Sequence, residues 1–164
     1  RHPDIGDALD SVFLPAVDQS FCSKYPEYSF TNHSSRKLSG CVSVLEGSRH
    51  QELIEKNADS TLVGLYFPCL SEYSIPAVIE QVGHLPKEFL LAGGYDTCAA
   101  FVACPELLLR KSAYPPLLWM SGIKDDQEKF GYHFEAYGYN LTFNRRVHLG
   151  KSAEYWSSAL VVLG

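Results

Sequence analysis

The order in which apolar patterns follow one another constrains the fold of this chain most. An alternating segment at residues 37–47 predicts a strand, and Ser48 stands at the N-cap position of a short helix predicted over 48–58. The β-rich segment TLVGLYF at 61–67 and the apolar segment IPAVIEQV at 75–82 predict two more strands. This part of the sequence therefore predicts the order strand, helix, strand, strand.

The second half of the sequence repeats that order. Residues 89–102 predict a strand that a pair of glycines interrupts, and glycines inside a strand often mark a close approach of another backbone. Residues 104–122 predict a helix that a pair of prolines bends, because proline cannot continue a helix without strain. Residues 133–143 and 154–163 predict two strands. The doubled order predicts an α+β fold.

Residues 1–37 stand apart from this doubled pattern. Apolar residues at helical spacing predict a helix over residues 5–21, in which Pro15 is expected to cause a kink. Residues 22–37 are polar and rich in turn formers, so they predict a loop or a ragged strand. We therefore divide the chain into an N-terminal helix and loop extension, 1–37, and one α+β domain, 38–164.

Composition places the chain among soluble globular proteins. Of its 164 residues, 46% are hydrophobic and 20% are charged, and no apolar stretch reaches the roughly 18 residues of a membrane span. The net charge of −5 and the scatter of lysine and arginine predict no direct contact with nucleic acid. The short basic stretch Arg145-Arg146-Val147-His148 is interpreted as a solvated turn. The first ten residues lack the apolar run of a signal peptide, and an upstream module stays open.

Neither the cysteines nor the histidines form a recognisable metal motif. The five cysteines include no CxxC pair, and the spacing from Cys98 to Cys104 fits no common zinc pattern. We expect free thiols in a reducing, cytoplasmic compartment, and no cofactor. No two of the six histidines lie within five residues of each other. A dyad of Cys98 or Cys104 with His133 stays open, because such partners need only be near in space.

Three short motifs occur in order in the second half of the chain. They are Ala92-Gly93-Gly94-Tyr95 followed by Ala100-Phe101, Trp119 followed by Ser121-Gly122, and Phe134-Glu135-Ala136-Tyr137. Together with the doubled order, they resemble the gyrase-inhibitor-like small-molecule-binding domains, which also occur as effector-binding domains of AraC-type and MerR-type transcription regulators. The resemblance covers about residues 38–164. It departs from the family pattern where Pro115 and Pro116 interrupt the helix, and the first repeat matches only in outline.

The resemblance implies a fold, a ligand class and a set of site residues. It implies two strand–helix–strand–strand repeats related by pseudo-twofold symmetry around a ligand groove, in a bacterial multidrug-binding protein. It implies a lipophilic, aromatic or cationic ligand, with Glu135 as the charge partner. The walls of the groove would include the following aromatic residues: Trp119, Tyr95, Tyr137, Tyr66, Phe67 and Phe101.

The residues themselves leave alternatives open. Because strand period is two, His133, Glu135 and Tyr137 share one face of the predicted strand, which suits either a wet groove wall or an exposed surface. In an apolar groove burial would raise the pKa of Glu135, and a bound cation would lower it again. Trp119 suits a groove wall or simple core packing equally well.

The predicted function is therefore non-covalent binding of a small organic molecule. The protein would be a stand-alone binder or the effector domain of a regulator, without membrane contact, and a homodimer stays open. One alternative is a hydrolase of electrophilic molecules on the same scaffold, with Glu135 and Tyr137 guiding water as a general base. Another is a protein-interaction module of the gyrase-binding or antitoxin-like kind, in keeping with its acidic charge.

Overall fold

The computed structural model describes residues 4–148 and 150–164, and the fold is α+β. The strands are β1 (Phe30–Asn32), β2 (Val42–Val44), β3 (Gly64–Ser71), β4 (Phe89–Leu91), β5 (Leu117–Trp119), β6 (Ile123–Asp125), β7 (Phe130–Tyr137), β8 (Asn140–Val147) and β9 (Trp156–Leu163). The helices are α1 (Ile5–Ala8), α2 (Leu14–Lys24), α3 (Arg49–Asp59), α4 (Ile75–His84) and α5 (Tyr95–Ala103). A π-helical turn, Leu9–Phe13, joins α1 to α2.

One mixed, mostly antiparallel sheet of seven strands organises the molecule. Its order is β1-β8-β7-β5-β9-β3, and β4 also pairs with β9. Strand β9 lies antiparallel to β3 on one side, and on the other side it meets first β5, in parallel, and then β4. Strands β2 and β6 form a separate antiparallel ribbon. Strand β9 is therefore the central connection of the sheet.

The two faces of the sheet carry different layers. On one face lies the main core, where α2 contributes Phe21, α5 contributes Phe101, and the ring of Phe101 lies 4.4 Å from that of Phe134 in β7. On the other face α4 packs Val78 and Val82 against β9. Beside α4, that second face also buries an aromatic cluster around Trp119 and Trp156.

The N-terminal helix is confirmed, but its irregularity differs from the predicted proline kink. Pro15 lies in the first turn of α2, and the wider π-helical turn ends two residues before it. In a regular α-helix the ring of Pro15 would meet the carbonyl group of Ser11, which lies inside that wider turn. Most apolar side chains of this helix belong to the main core of the molecule or pack against it.

Several predicted elements are confirmed. Segment 37–47 contains β2, segment 61–67 enters β3, and segment 154–163 contains β9. The helix α3 begins after Ser48, whose hydroxyl accepts a hydrogen bond from the N–H of Gln51. These segments carry local signals: alternation, a β-rich or apolar composition, or a side-chain cap.

Other predicted elements are wrong. Residues 75–82, predicted as a strand, lie in α4, because Ser74 caps a helix there and Pro76 fits its first turn. The predicted strand over 89–102 holds only β4 before the chain turns into α5. The predicted helix over 104–122 is wrong as well, since residues 105–116 form turns and bends before β5.

Two further corrections concern the end of the sheet. The predicted single strand over 133–143 is a hairpin of β7 and β8, because Gly138 adopts a positive φ of 62° at a two-residue turn. Arg145 and Arg146, interpreted as a solvated turn, lie in β8. From β2 onward the order is strand, helix, strand, helix, strand, helix and then five strands, so the predicted doubled order and its symmetry are not confirmed.

Within the described residues, no helix is both long and apolar enough to cross a membrane.

Candidate ligand-binding cavity

A cavity of about 560 Å³ opens between α3, α5 and the paired ends of β3 and β9. This volume lies within the range of small-molecule sites, which is about 300–1,000 Å³. The residues that line it are Phe13, Leu53, Ile54, Asn57, Leu62, Gly64, Leu65, Tyr66, Tyr95, Asp96, Ala99, Ala100, Ala103, Cys104, Leu107, Val161 and Leu163. Most of these side chains are apolar, so the cavity favours a ligand with a large apolar surface.

Small side chains on α5 leave the space open. Ala99 and Ala103 lie one helical turn apart on the cavity side of α5, and both are exposed to solvent. Ala100 lies beside them on the same wall. A larger apolar side chain at either exposed position would occupy the cavity without disturbing the sheet.

One carboxylate, that of Asp96, lies in the wall of the cavity. It stands in the first turn of α5, where Oδ2 accepts a hydrogen bond from the N–H of Gly93 at 3.0 Å and Oδ1 accepts one from the N–H of Gly94 at 2.9 Å. These bonds fix its orientation. Among the described residues, no lysine or arginine lies within ion-pair distance of Asp96, and its side chain is 13% exposed.

A buried histidine supports the turn that carries Asp96. The Nδ1 atom of His50 lies 2.9 Å from the carbonyl oxygen of Leu91, so this nitrogen carries the proton that it donates. A Cβ atom on Gly94 would lie 2.4 Å from Nε2 of His50, and one on Gly122 would lie 2.2 Å from its Cγ. The imidazole is therefore packed between two glycines, and Nδ1 lies 3.8 Å from Oδ1 of Asp96.

The predicted role of the Gly93–Gly94 pair is half right. The pair lies outside a strand, between β4 and α5, but another backbone does approach it closely. Gly93 has a φ of 125°, and a Cβ atom there would lie 2.4 Å from the amide nitrogen of Ser121. Only glycine fits this position, because it tolerates both the positive φ and the contact.

Aromatic residues form one end of the cavity. The rings of Phe13 and Tyr95 are stacked with centroids 4.4 Å apart and planes 17° apart. The hydroxyl of Tyr66 forms a hydrogen bond of 3.0 Å with that of Thr97, and burial raises the pKa of Tyr66 well above its usual value. Tyr66 is therefore neutral at physiological pH and acts as a fixed apolar wall with a polar tip.

The structure brings together two of the predicted site residues and separates the others from them. Tyr66 and Tyr95 line the cavity. Phe101 and Trp119 are fully buried in the cores of opposite faces of the sheet. Phe67 follows Tyr66 along β3, so its side chain points to the other face and is exposed.

Glu135 lies outside the cavity. Its carboxylate Oε2 is 3.5 Å from Nε2 of His133, which lies on the sheet face of the Trp119 cluster. This contact lowers the pKa of Glu135, while burial lowers that of His133. Tyr137 is exposed at the end of β7. Cys98 belongs to the main core on the opposite face, which separates it from His133.

Sequence reasoning missed Asp96, Phe13 and the alanines of α5. Asp96 lies two positions after a glycine pair and suits the first turn of a helix, but the prediction for residues 89–102 is a strand, so no clear sequence signal identifies it. Phe13 carried no signal either, because only the packing of α2 and α5 places it in the cavity.

No metal centre accompanies this cavity in the part of the chain that the structure describes, where no three His, Cys, Asp or Glu side chains are grouped to hold an ion. All five cysteines are free thiols, and Cys104 lines the cavity. The chain was compared with protein-family models, curated proteins and solved structures, and none of them matches it.

Proposed function

We propose that this protein binds a small, largely apolar organic molecule in the cavity between α3 and α5, without a covalent step. The observation that carries the proposal is a cavity of about 560 Å³ with apolar and aromatic walls and a single carboxylate, Asp96. The resemblance to gyrase-inhibitor-like domains supports the same ligand class. We propose that this protein shares the ligand class of those domains and acts as a stand-alone binder or as an effector domain. We do not propose that it shares their pseudo-twofold repeat.

The ligand carries a cationic or hydrogen-bond-donating group that faces Asp96. The two backbone hydrogen bonds hold this carboxylate in place, so a ligand meets it without reorganisation. A cation beside the rings of Phe13 and Tyr95 gains a further cation–π attraction of about 0.5–2 kcal/mol. Asp96 thus takes the role predicted for Glu135.

The test is a thermal-shift and calorimetric screen with lipophilic aromatic cations and their neutral analogues. A ligand at 100 times its Kd adds about 2.7 kcal/mol of stability, which raises the melting temperature measurably. We expect cations to raise the melting temperature of the wild type. Asp96→Asn should lose affinity for cations about tenfold and keep its affinity for the neutral analogues. Glu135→Gln should behave as the wild type.

A cavity-filling pair of variants locates the binding. Ala103→Leu is expected to abolish the shifts, because the new side chain occupies the cavity. Ala58→Leu in α3 makes the same chemical change outside the lining, and it should retain them. Equal shifts in both variants, or no shift in the wild type, would contradict binding in this cavity.

A second candidate function, protein interaction, is favoured by the free edge of β3. This strand ends the sheet, and Val63 and Leu65 beside the edge are 78% and 66% exposed. An exposed apolar edge is a template for a strand of another chain. Sedimentation velocity over a hundredfold concentration range tests whether β3 pairs with β3 of a second copy. Leu65→Lys should abolish such a dimer. A wild type that is monomeric at every concentration would exclude a homodimer.

The hydrolase alternative stays a prediction that the cavity does not support. It relied on Glu135 and Tyr137, and neither residue lines the cavity.

A further inference from the structure

We propose that Phe13, which the π-helical turn Leu9–Phe13 presents to the cavity, makes the site selective for flat aromatic ligands. This inference rests on the proposed function, because it requires that the cavity hold a ligand. It gives the N-terminal helix a role in specificity.

The ring of Phe13 lies in the wall of the cavity. It stacks on Tyr95 at 4.4 Å and 17°, and both rings line the cavity. Phe13 is half-buried, so its ring is accessible from the cavity side. A flat ligand ring that joins this stack gains an attraction that a puckered ring of the same size does not.

The start of the N-terminal helix is anchored independently of its end. Asp4 caps α1 and also accepts a hydrogen bond from the N–H of Gly40 at 2.8 Å. Asp10 accepts one from the N–H of Leu38 at 2.7 Å. A Cβ atom on Gly6 would lie 2.0 Å from the carbonyl oxygen of Leu38, so the helix start cannot rotate without a clash.

The end of the helix has its own anchors on α5 and the segment after it. The hydroxyl of Ser20 donates a hydrogen bond of 2.8 Å to the carbonyl group of Val102, and Lys24 forms an ion pair with Glu106. The two ends are therefore fixed to different parts of the molecule, and the π-helical turn, which contains the anchor Asp10, joins them.

One row of apolar side chains on the N-terminal helix must point towards the core. Five apolar residues recur at every fourth position, namely Ile5, Leu9, Phe13, Val17 and Phe21, and all belong to the main core or pack against it. In a regular α-helix such a row drifts by about 40° per step, or about 160° in all. The π-helical turn absorbs one extra residue and so removes about 100° of that drift.

This correction decides which side chain reaches Tyr95. In a regular α-helix the residues three and four positions after Leu9, which are Val12 and Phe13, would both lie on its face. Either side chain could then point towards the cavity. In the structure Val12 is 42% exposed and Phe13 forms the stack. The wider turn therefore places an aromatic ring at this end of the cavity.

The test compares two amines of equal carbon skeleton, naphthalen-2-ylmethanamine and its decahydro analogue, by calorimetry. In the wild type we expect the aromatic amine to bind about three- to tenfold more tightly than the saturated amine. Phe13→Leu should weaken both amines, because each loses the cation–π attraction of that ring, and should weaken the aromatic amine more, so that the preference disappears. Val12→Leu, the matched control on the exposed side, should keep it.

A deletion of Ser11 tests the π-helical turn itself. Ser11 is exposed, and its removal leaves a residue count that suits a regular α-helix. Because the π-helical turn absorbs one extra residue, the deletion leaves both ends of the helix in phase. We therefore expect circular dichroism to show an intact helix and calorimetry to show that the aromatic preference is kept. If this variant does not fold, Phe13→Leu still decides.

The outcomes separate the two proposals. A wild type that binds both amines equally, or a Phe13→Leu variant that keeps the preference, overturns the role of Phe13 and leaves the binding function standing. A wild type that binds neither amine overturns the proposed function and this inference with it.

Discussion

A buried carboxylate, Asp125, ties the β2–β6 ribbon to the main sheet. It accepts hydrogen bonds from Nε of Arg145 at 2.7 Å, from Nη2 of Arg145 at 2.8 Å and from the hydroxyl of Tyr132. Burial by itself would raise the pKa of Asp125, but these donors outweigh it and hold the pKa well below its usual range. The carboxylate is therefore ionised wherever the protein is folded near neutral pH.

Asp125→Asn should destabilise the protein by about 3 kcal/mol, because it leaves the Arg145 guanidinium largely buried without its partner. The free energy of unfolding at pH 7, measured in urea, is the readout. The neighbouring Asp126 offers a matched control, since its ion pair with Arg36 is exposed and its loss should cost less than about 1 kcal/mol. Equal losses in the two variants would show that burial of Asp125 contributes nothing.

Between elements, Arg49 connects α3 to the end of α4. Its guanidinium donates hydrogen bonds to the carbonyl groups of Gly83 and Leu85, where α4 ends, and to those of Pro86 and Phe89, where β4 begins. Four acceptors around one planar group require the fork of donors that only arginine has. This residue therefore sets the position of α4 relative to α3.

Arg49→Lys should lower the free energy of unfolding by about 1–3 kcal/mol, because an ammonium group cannot reach the four carbonyl groups together. Arg110→Lys is the control, since Arg110 is exposed and donates only to the nearby carbonyl groups of Leu107 and Leu109. Urea unfolding of both variants measures the difference. A loss as small for Arg49 as for Arg110 would contradict the role of Arg49.

The helix α4 shows why an element can be predicted wrongly even where its start carries a local signal. Its β-branched residues favour a strand by propensity, yet Val78 and Val82 pack on the sheet at helical spacing beneath the Ser74 cap. The short apolar segment was compatible with both periods. Packing against Leu160 of β9, which is remote in sequence, selects the helix.

The candidate site was only partly predictable for the same reason. Tyr95 was identified from its motif, and Tyr66 only as part of the groove wall that the resemblance implies, but the carboxylate beside them is Asp96 rather than Glu135. Asp96 becomes recognisable only once residues 95–103 are known to be a helix. Leu163 joins the cavity through the pairing of β9 with β3, a contact across the whole domain that no local pattern contains.

At the scale of the whole molecule, buried histidines make the stability depend on pH. Burial lowers the pKa of His133 more than its contact with Glu135 raises it, and burial also lowers the pKa of His148. The folded state therefore takes up these protons less readily than the unfolded state, whose histidines titrate near pH 6.5. The free energy of unfolding should fall as the pH is lowered from 7.5 to 5.5.

His133→Gln should flatten this dependence, with the unfolding midpoints in urea at pH 7.5, 6.5 and 5.5 as the measurement. Each such group contributes at most about 1.4 kcal/mol per pH unit. His33→Gln, at an exposed position, should leave the dependence unchanged. If both variants keep the wild-type slope, the charge state of His133 has no part in it.

The central place of β9 has a consequence for the order of events during synthesis. This strand binds β3, β4 and β5, yet its first residue, Trp156, comes 85 residues after Ser71, the last residue of β3. A chain growing at about 5–20 residues per second therefore carries β3 without a partner for several seconds. During that time the uncharged segment 61–67 has no partner strand, and an apolar strand of this kind is prone to aggregate until β9 has been made.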